Sequence, residues 1–449
     1  MKNRIIYQLF LRPFTPEGTI AAAKEKLEHI ASLGIDTIYL TSCCIADGDN
    51  NEAHFSPRQK ASKTGNPKNP YRISDYYALD EEYGTIDDLR DFVNAAHAFG
   101  LEALFDVVFL HCGPDAVFLE DHPDFVKRDG EGSIVCNAWC FPEINFDSPS
   151  LRRYLIDNLK YWIEECDFDG FRCDVADQTP LDFWEEAIPE LKAIKPSIYM
   201  LNEGVKPEYL SVFDSNYSFL WTHALQAAIR SQKPASFLRE TDEECRKAYE
   251  NHPYVTLRAL ETHDYANDHY ENRPDKNLPQ KAVECAHLIN LTLDGIPFFY
   301  NGNEIADGNR HSIWGNRDFG GFCIDWSKAH TAEGKARLDF IRQAVKLRKS
   351  NPWLENADTL WLDNSSPETL VTFLRRNGKK IWLVAANLRG SKLEATVSLP
   401  NSVNDGKEIF CRHAEHTFKG ERISLTLSGY GFAVVQTSPP TDFLLCHLN

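Results

Sequence analysis

The sequence predicts an α/β protein: a closed (β/α)8 TIM barrel, a short excursion domain after its third strand, and a carboxy-terminal antiparallel β-sandwich domain. Three observations carry this expectation. Short apolar runs alternate with helical patterns through residue 350. Two connections that leave strand carboxyl ends are far longer than ordinary linkers. After about residue 356 the pattern changes to short alternating strands separated by Gly and Asn turns.

Strands are expected at residues 5–9, 37–40, 103–108, 170–175, 198–201, 212–216, 257–261 and 297–300. Helices are expected between them, at 21–33, 86–99, 150–165 and 181–194. Alternation alone also permits a doubly wound open sheet. The count of strands favours the barrel. The long connections are residues 41–70, rich in Asp, Asn, Ser, Lys and Pro, and residues 111–145, which carry aromatics and cysteines. Both leave from the face where barrel enzymes build their sites. The resulting organisation is barrel over 1–110 and 146–355, excursion over 111–145, and β domain over 356–449.

Composition excludes several function classes. There are 48 Lys plus Arg against 66 Asp plus Glu, a net charge of −18, so phosphate-led binding of nucleic acid is disfavoured. No apolar run approaches the ~18 residues of a membrane span. The opening MKNRIIYQLFLRPF has no apolar core or small-residue cleavage site, so no secretory leader is expected. Twelve scattered cysteines, several inside apolar runs, read as reduced thiols of a cytoplasmic protein. Cys136 and Cys140 have no second pair nearby, which argues against a zinc site.

The sharpest local feature is Gly170-Phe171-Arg172-Cys173-Asp174-Val175. Alternate side chains of a strand share a face, so Arg172 and Asp174 point the same way. A carboxylate beside a guanidinium stays ionised, as a carboxylate nucleophile must. By the same alternation Val175 is expected to point away from Asp174, though at a strand end it can still line the acceptor side. The next strand ends in Glu203, after a run with little polar company, where a carboxyl can keep its proton and act as an acid. Asp264 follows His263 at a later strand end, and Asp106 closes the third strand, with His111 at the rim. One carboxylate and one protonated carboxyl across a bond suit cleavage of a glycosidic linkage with retention of configuration.

In the order of its segments the chain resembles the α-amylase family of retaining glycosidases, glycoside hydrolase family 13. YQLFLRPF and GIDTIYLT resemble its first two strands, and GIPFFYNGNE its eighth. The resemblance puts the stacking tyrosine of the first glucose subsite on Tyr71. Asp106 to His111 resembles the first signature region. GFRCDV places the nucleophile on Asp174 and its partner on Arg172. Asn202-Glu203-Gly204 carries the acid/base, and Thr262-His263-Asp264 the aspartate that distorts and holds the sugar. His111 and His263 resemble the pair that bonds hydroxyls of the first-subsite glucose. The catalytic set implied is Asp174, Glu203 and Asp264; the substrate-binding set is Tyr71, Asp106, His111, Arg172 and His263. The partner implied is a short α-glucan, with α-1,4 linkages and, from Val175 after the nucleophile, activity toward α-1,6 linkages.

DVADQTPLDFWEEAIPELKAIKP and EINFDSPSLRRYLIDNLKYWI are most similar to the neopullulanase and cyclomaltodextrinase branch. The sequence starts at the barrel, without the amino-terminal β domain those relatives usually carry, and leaves the oligomeric state open. Leu110 stands where the family commonly has an Asn ligand of its structural calcium, and Asp177-Gln178 where many members have Lys-His. Calcium takes six to eight oxygen ligands, so no calcium is expected there, Asn145 being one oxygen only. No other cofactor is implied. Trp139, Trp221, Trp314 and Phe319 are candidates for outer subsites, and Asp177 for the acceptor side. A transglycosylase or sucrose-type enzyme would use the same residues with another acceptor. A non-catalytic barrel would have lost the acids.

Overall fold

The computed structural model describes residues 4–268, 270–400 and 406–437. Eight parallel strands form the barrel: β1 (Ile6–Leu9), β2 (Thr37–Leu40), β3 (Glu102–Val108), β4 (Gly170–Asp174), β5 (Tyr199–Asn202), β6 (Ser215–Asn216), β7 (Leu257–Ala259) and β8 (Ile296–Tyr300). Their hydrogen-bonded order is β6-β5-β4-β3-β2-β1-β8-β7. A parallel bridge between Asn216 and Thr256 closes the ring, and the Asn216 N–H donates to the Val255 carbonyl at 3.0 Å.

Side-chain alternation sorts the strands between two cores. Ile6, Tyr39, Leu104, Leu201, Leu257 and Phe298 pack together inside the barrel. Tyr7, Ile38, Phe105, Phe171, Cys173 and Met200 face outward and join the larger core under the helices. Phe171 and Cys173 facing out leaves Arg172 and Asp174 facing in, as the sequence predicts. Gly170 is where β4 runs closest to β5: a Cβ there would lie 1.9 Å from the Tyr199 carbonyl oxygen.

Two predicted elements differ. The helix expected over 21–33 is two short helices, Ile20–Lys24 and Leu27–Ser32. Ile20, Ala23, Leu27 and Ile30 all remain buried, so the apolar period runs through the break and conceals it. The strand expected over 212–216 shrinks to two residues, because the chain first makes a 3-10 turn at Pro207–Ser211.

Residues 41–70 are more ordered than a polar connection. Cys44–Ala46 pairs antiparallel with Ile73–Leu79. Between them lies a helix, Pro57–Ser62, whose first turn is capped by the Ser56 hydroxyl accepting from the Gln59 N–H. Asp47 and Arg72, both fully buried, pair at 2.9 Å across the base of this excursion. Residues 111–145 hold together by bridges such as His111–Glu143 and Cys136–Pro142.

The carboxy-terminal strands are β9 (Asp358–Trp361), β10 (Leu370–Asn377), β11 (Lys380–Asn387), β12 (Leu393–Ser398), β13 (Gly406–Lys419) and β14 (Arg422–Thr437). β14 pairs β12 through residues 422–427 and β11 through residues 432–437. Leu370, Leu374 and Leu383 thereby meet Val397, Ile423 and Leu425 in one apolar cluster between the two halves of the sheet. Phe373, Trp382, Val384 and Phe432, on the opposite face, belong to the core shared with the barrel helices.

Eleven cysteines lie among the described residues, all as free thiols; Cys446 lies outside them. Among the described residues no helix is long and apolar enough to cross a membrane.

Candidate active site

A cavity of about 460 Å³ opens at the carboxyl ends of the barrel strands. Its wall brings together Asp174, Glu203, Asp264, His111, His263 and Tyr71, which come from separate stretches of the sequence. The site is organised from below by Arg172, which is fully buried. One terminal nitrogen, Nη1, donates to Asp106 Oδ1 at 2.7 Å and to Asp174 Oδ1 at 2.8 Å. The other, Nη2, lies 2.6 Å from Glu203 Oε2. The register that pairs Asp106 with Arg172 across β3 and β4 makes the first contact possible.

Asp106 is fully buried and its carboxylate is completely engaged. Oδ2 accepts from the hydroxyls of Tyr39 and Tyr71, both at 2.9 Å. The sequence placed Asp106 and Arg172 on substrate. The structure places both beneath the cavity, where they hold the residues that line it. Burial raises the Asp106 carboxyl to about 6, against the opposing pull of Arg172.

Glu203 has more polar company than its flanking run suggests. Besides the Arg172 contact, Glu203 Oε2 accepts from the Val175 backbone N–H at 3.0 Å. Burial still dominates and holds its carboxyl well above the ordinary glutamate range; the Arg172 cation opposes this and the charges of Asp174 and Asp264 reinforce it. Asp174 and Glu203 thus share one guanidinium, Nη1 meeting the first and Nη2 the second. Gly204 lets Asp177 pack close, since a Cβ there would lie 2.5 Å from Asp177 Cγ. Asp177 Oδ2 accepts from the Val205 N–H at 2.9 Å.

Val175 does not continue the strand alternation. It adopts φ +44° and ψ 38°, a left-handed conformation that a β-branched residue rarely takes. The chain turns there, so Val175 lines the cavity beside Asp174 instead of pointing away.

Asp264 lies in the first turn of the helix His263–Asp268, beyond the end of β7 at Ala259. Arg58 Nη2, from the helix in the second-strand excursion, donates to Asp264 Oδ1 at 2.8 Å. Burial opposes ionisation of Asp264, but His263 and Arg58 outweigh it and hold the carboxyl well below the usual range.

His263 stacks on Tyr71 with ring centroids 5.3 Å apart and 19° between planes. Burial pushes His263 down to about 4. His111 also lines the cavity, but both its nitrogens have protein partners. Nε2 donates to the Tyr71 carbonyl at 2.8 Å, and Nδ1 accepts from the Asn137 amide at 3.1 Å. His111 thus seats Tyr71 at the cavity wall, while its own ring also lines the cavity.

The candidate outer platforms separate. Trp139 and Trp314 line the cavity. Trp221 is fully buried, its Nε1 donating to Asn290 at 2.8 Å with the Arg258 guanidinium 4.5 Å from its ring centre, so it is a core residue. Phe319 is half-buried and is not among the residues lining the cavity. Leu110 offers only a backbone carbonyl, which accepts from the Ile144 N–H at 3.2 Å. Both ends of the Asn145 amide are engaged, with Asp124 O and Asp147 N.

Sequence reading missed Gln8, Arg58 and Asn137. Gln8 had a signal: it shares the inward face of β1 with Ile6, and a polar residue there needs a partner. Arg58 and Asn137 had none, since both reach the site from excursions far from their partners in sequence, Arg58 from a short helix.

A family profile described as the alpha amylase catalytic domain matches residues 8–129 and 135–364. A cyclomaltodextrinase from Bacillus sp is 24% identical over 446 residues, covering 86% of this chain and 73% of that protein. A maltogenic alpha-amylase from Bacillus acidopullulyticus is 22% identical over 447 residues, covering 92% and 70%. The crystal structure of a noncanonic maltogenic alpha-amylase from Thermotoga neapolitana superposes with a TM-score of 0.82 at 23% identity, covering 98% of this chain and all of that one.

Proposed function

The chain belongs to the α-amylase family of glycoside hydrolases, and on that premise we propose that it cleaves α-glucosidic bonds of short malto-oligosaccharides with retention of configuration. The carrying observation is the shared Arg172 guanidinium, which touches the Asp174 and Glu203 carboxyl groups together at the wall of the cavity. Asp174 is the nucleophile that attacks the anomeric carbon. Glu203, kept protonated by burial, gives its proton to the leaving oxygen, then takes one from the water that releases the sugar. Asp264, held ionised, accepts from hydroxyls of the glucose at the cleavage point. Tyr71, seated by Asp106 and His111, is the platform under that glucose.

Val175, turned into the cavity beside Asp174, is the residue we tie to tolerance of α-1,6 bonds. Leu110 brings no side-chain oxygen to a calcium ion, and the Leu110 carbonyl and the Asn145 amide oxygen already accept from the Ile144 and Asp147 N–H groups, which leaves a donor set far short of the six to eight oxygens calcium takes. We therefore propose activity that survives chelation.

The test is a panel of maltotriose, pullulan, cyclodextrin, isomaltotriose, panose and sucrose, followed by NMR from the first minutes. Glucose or maltose released first as the α-anomer supports the reading. A β-anomer released first contradicts retention. Oligosaccharide synthesis from maltotriose that exceeds glucose release replaces hydrolysis by transfer.

A further inference from the structure

Gln8 lies on the inward face of β1, fully buried, and grips His263 at two points. Its Oε1 meets the His263 backbone N–H at 3.1 Å, and its Nε2 lies 2.7 Å from His263 Nδ1. The orientation of a carboxamide is usually a choice between two flips. Here the backbone N–H removes that choice, because an N–H can only donate, so the atom facing it must be the oxygen. The amide nitrogen must then face Nδ1. An amide N–H only donates, so Nδ1 accepts and carries no proton. In a neutral imidazole the proton therefore sits on Nε2.

We propose that Gln8 is a positioning residue that fixes His263 in the Nε2–H form, presenting a donor at the cavity. Nε2 lies 3.8 Å from Asp264 Oδ2, on a residue that lines the cavity wall. The ring plane is set independently, by stacking on Tyr71 and by an edge contact with Phe10 at 5.8 Å. Gln8 thus fixes the one degree of freedom that stacking leaves open, the placement of the proton. The charged groups around the ring are Asp264 and Asp174, which favour a second proton, and Arg172 and Arg58, which oppose it. Burial adds to that opposition, so the ring stays neutral and the tautomer matters. The assignment of the proton stands on geometry alone. That Nε2–H donates to a sugar hydroxyl rests on the function proposed above.

Selective 15N labelling of histidine tests it on the whole protein at neutral pH, with the His263 signals assigned by their loss in His263→Asn. The wild-type protein should show Nδ1 unprotonated and Nε2 protonated. Gln8→Glu should reverse this, since one carboxylate oxygen takes the backbone N–H and the other demands a proton on Nδ1. Gln8→Met, similar in volume, should give a mixture of both forms. Loss of kcat/KM toward maltotriose should be on the order of a hundredfold in Gln8→Glu, the scale of a misdirected active-site donor. A wild-type ring protonated on Nδ1 would overturn the proposal even if neither variant folds. So would an unchanged tautomer in either variant. The expected tautomers in a protein inactive on every α-glucoside would overturn the substrate reading and leave this one standing.

Discussion

The backbone N–H of Val175 donates to Glu203 Oε2 at 3.0 Å. The residue just past the end of one strand thus holds the carboxyl group just past the end of the next. The donor points that way because Val175 turns left-handed at φ +44°, a conformation costing roughly 1–3 kcal/mol in a non-glycine residue. Val175→Gly keeps the N–H and removes the strain, at an entropic cost of about 0.5–1 kcal/mol. Urea unfolding should show equal or higher stability, with the pH profile on maltotriose unmoved. A variant less stable by more than about 1 kcal/mol would contradict this account of the turn.

Burial raises the Glu203 carboxyl well above the ordinary glutamate range, so the alkaline limb of kcat/KM should lie above that range too. Glu203→Gln should remove that limb and lower turnover of maltotriose by about 10²–10⁴-fold. Formation of the glycosyl-enzyme from an aryl glucoside with a good leaving group should fall far less, because that departure needs no proton. Equal losses on both substrates would show that Glu203 is not the acid.

Asp106 has its carboxyl raised to about 6, mainly by burial. An acid whose folded pKa exceeds its unfolded value of about 3.9 binds its proton more tightly when folded. Its contribution to stability is present below about pH 4 and is lost as pH rises through about 6. Asp106→Asn should flatten that part of the stability–pH curve relative to wild type, measured by urea unfolding. An unchanged slope would contradict the burial argument.

Arg172 has no exposure and meets three carboxyl groups. Removing one partner of a buried charge set costs about 3–5 kcal/mol, so Arg172→Met should destabilise by that amount. Adding Asp106→Asn should recover part of it, since one stranded charge is then gone. Additive losses in the double variant would argue against direct coupling.

Arg58 donates to Asp264 from a helix that the sequence reading treated as part of a polar connection. Arg58→Ala should lower kcat/KM on maltotriose by about tenfold, the scale of one weakened charge-assisted hydrogen bond. It should also bring Asp264 closer to the ordinary carboxylate range, seen as a new acid limb. Full activity with no such limb would make Arg58 incidental.

The barrel was legible because eight short apolar runs alternate with helical patterns, and Arg172 and Asp174 because alternation fixes their common face. The limits of that legibility are local. Alternation fails at Val175, where the strand ends in a left-handed residue that no propensity favours. Asp106 and Arg172 read as substrate contacts because strand position does not reveal depth below the cavity. Trp221, one of four candidate platforms, lies in the helix Phe219–Ile229 and packs in the core. Arg58 reaches Asp264 across 206 residues of sequence, and the hairpin that carries it begins with a strand of only three residues. Periodicity cannot register so short an element or so distant a contact.

The central claim is that Asp174 becomes covalently glycosylated. The direct measurement is peptide mass spectrometry of the protein after reaction with 5-fluoro-α-glucosyl fluoride, which slows release of the sugar. The account predicts one added fluoroglucosyl group, on Asp174, and none in Asp174→Asn. A label on Glu203 or Asp264, or turnover of the reagent with no accumulated adduct on any carboxylate, would contradict it.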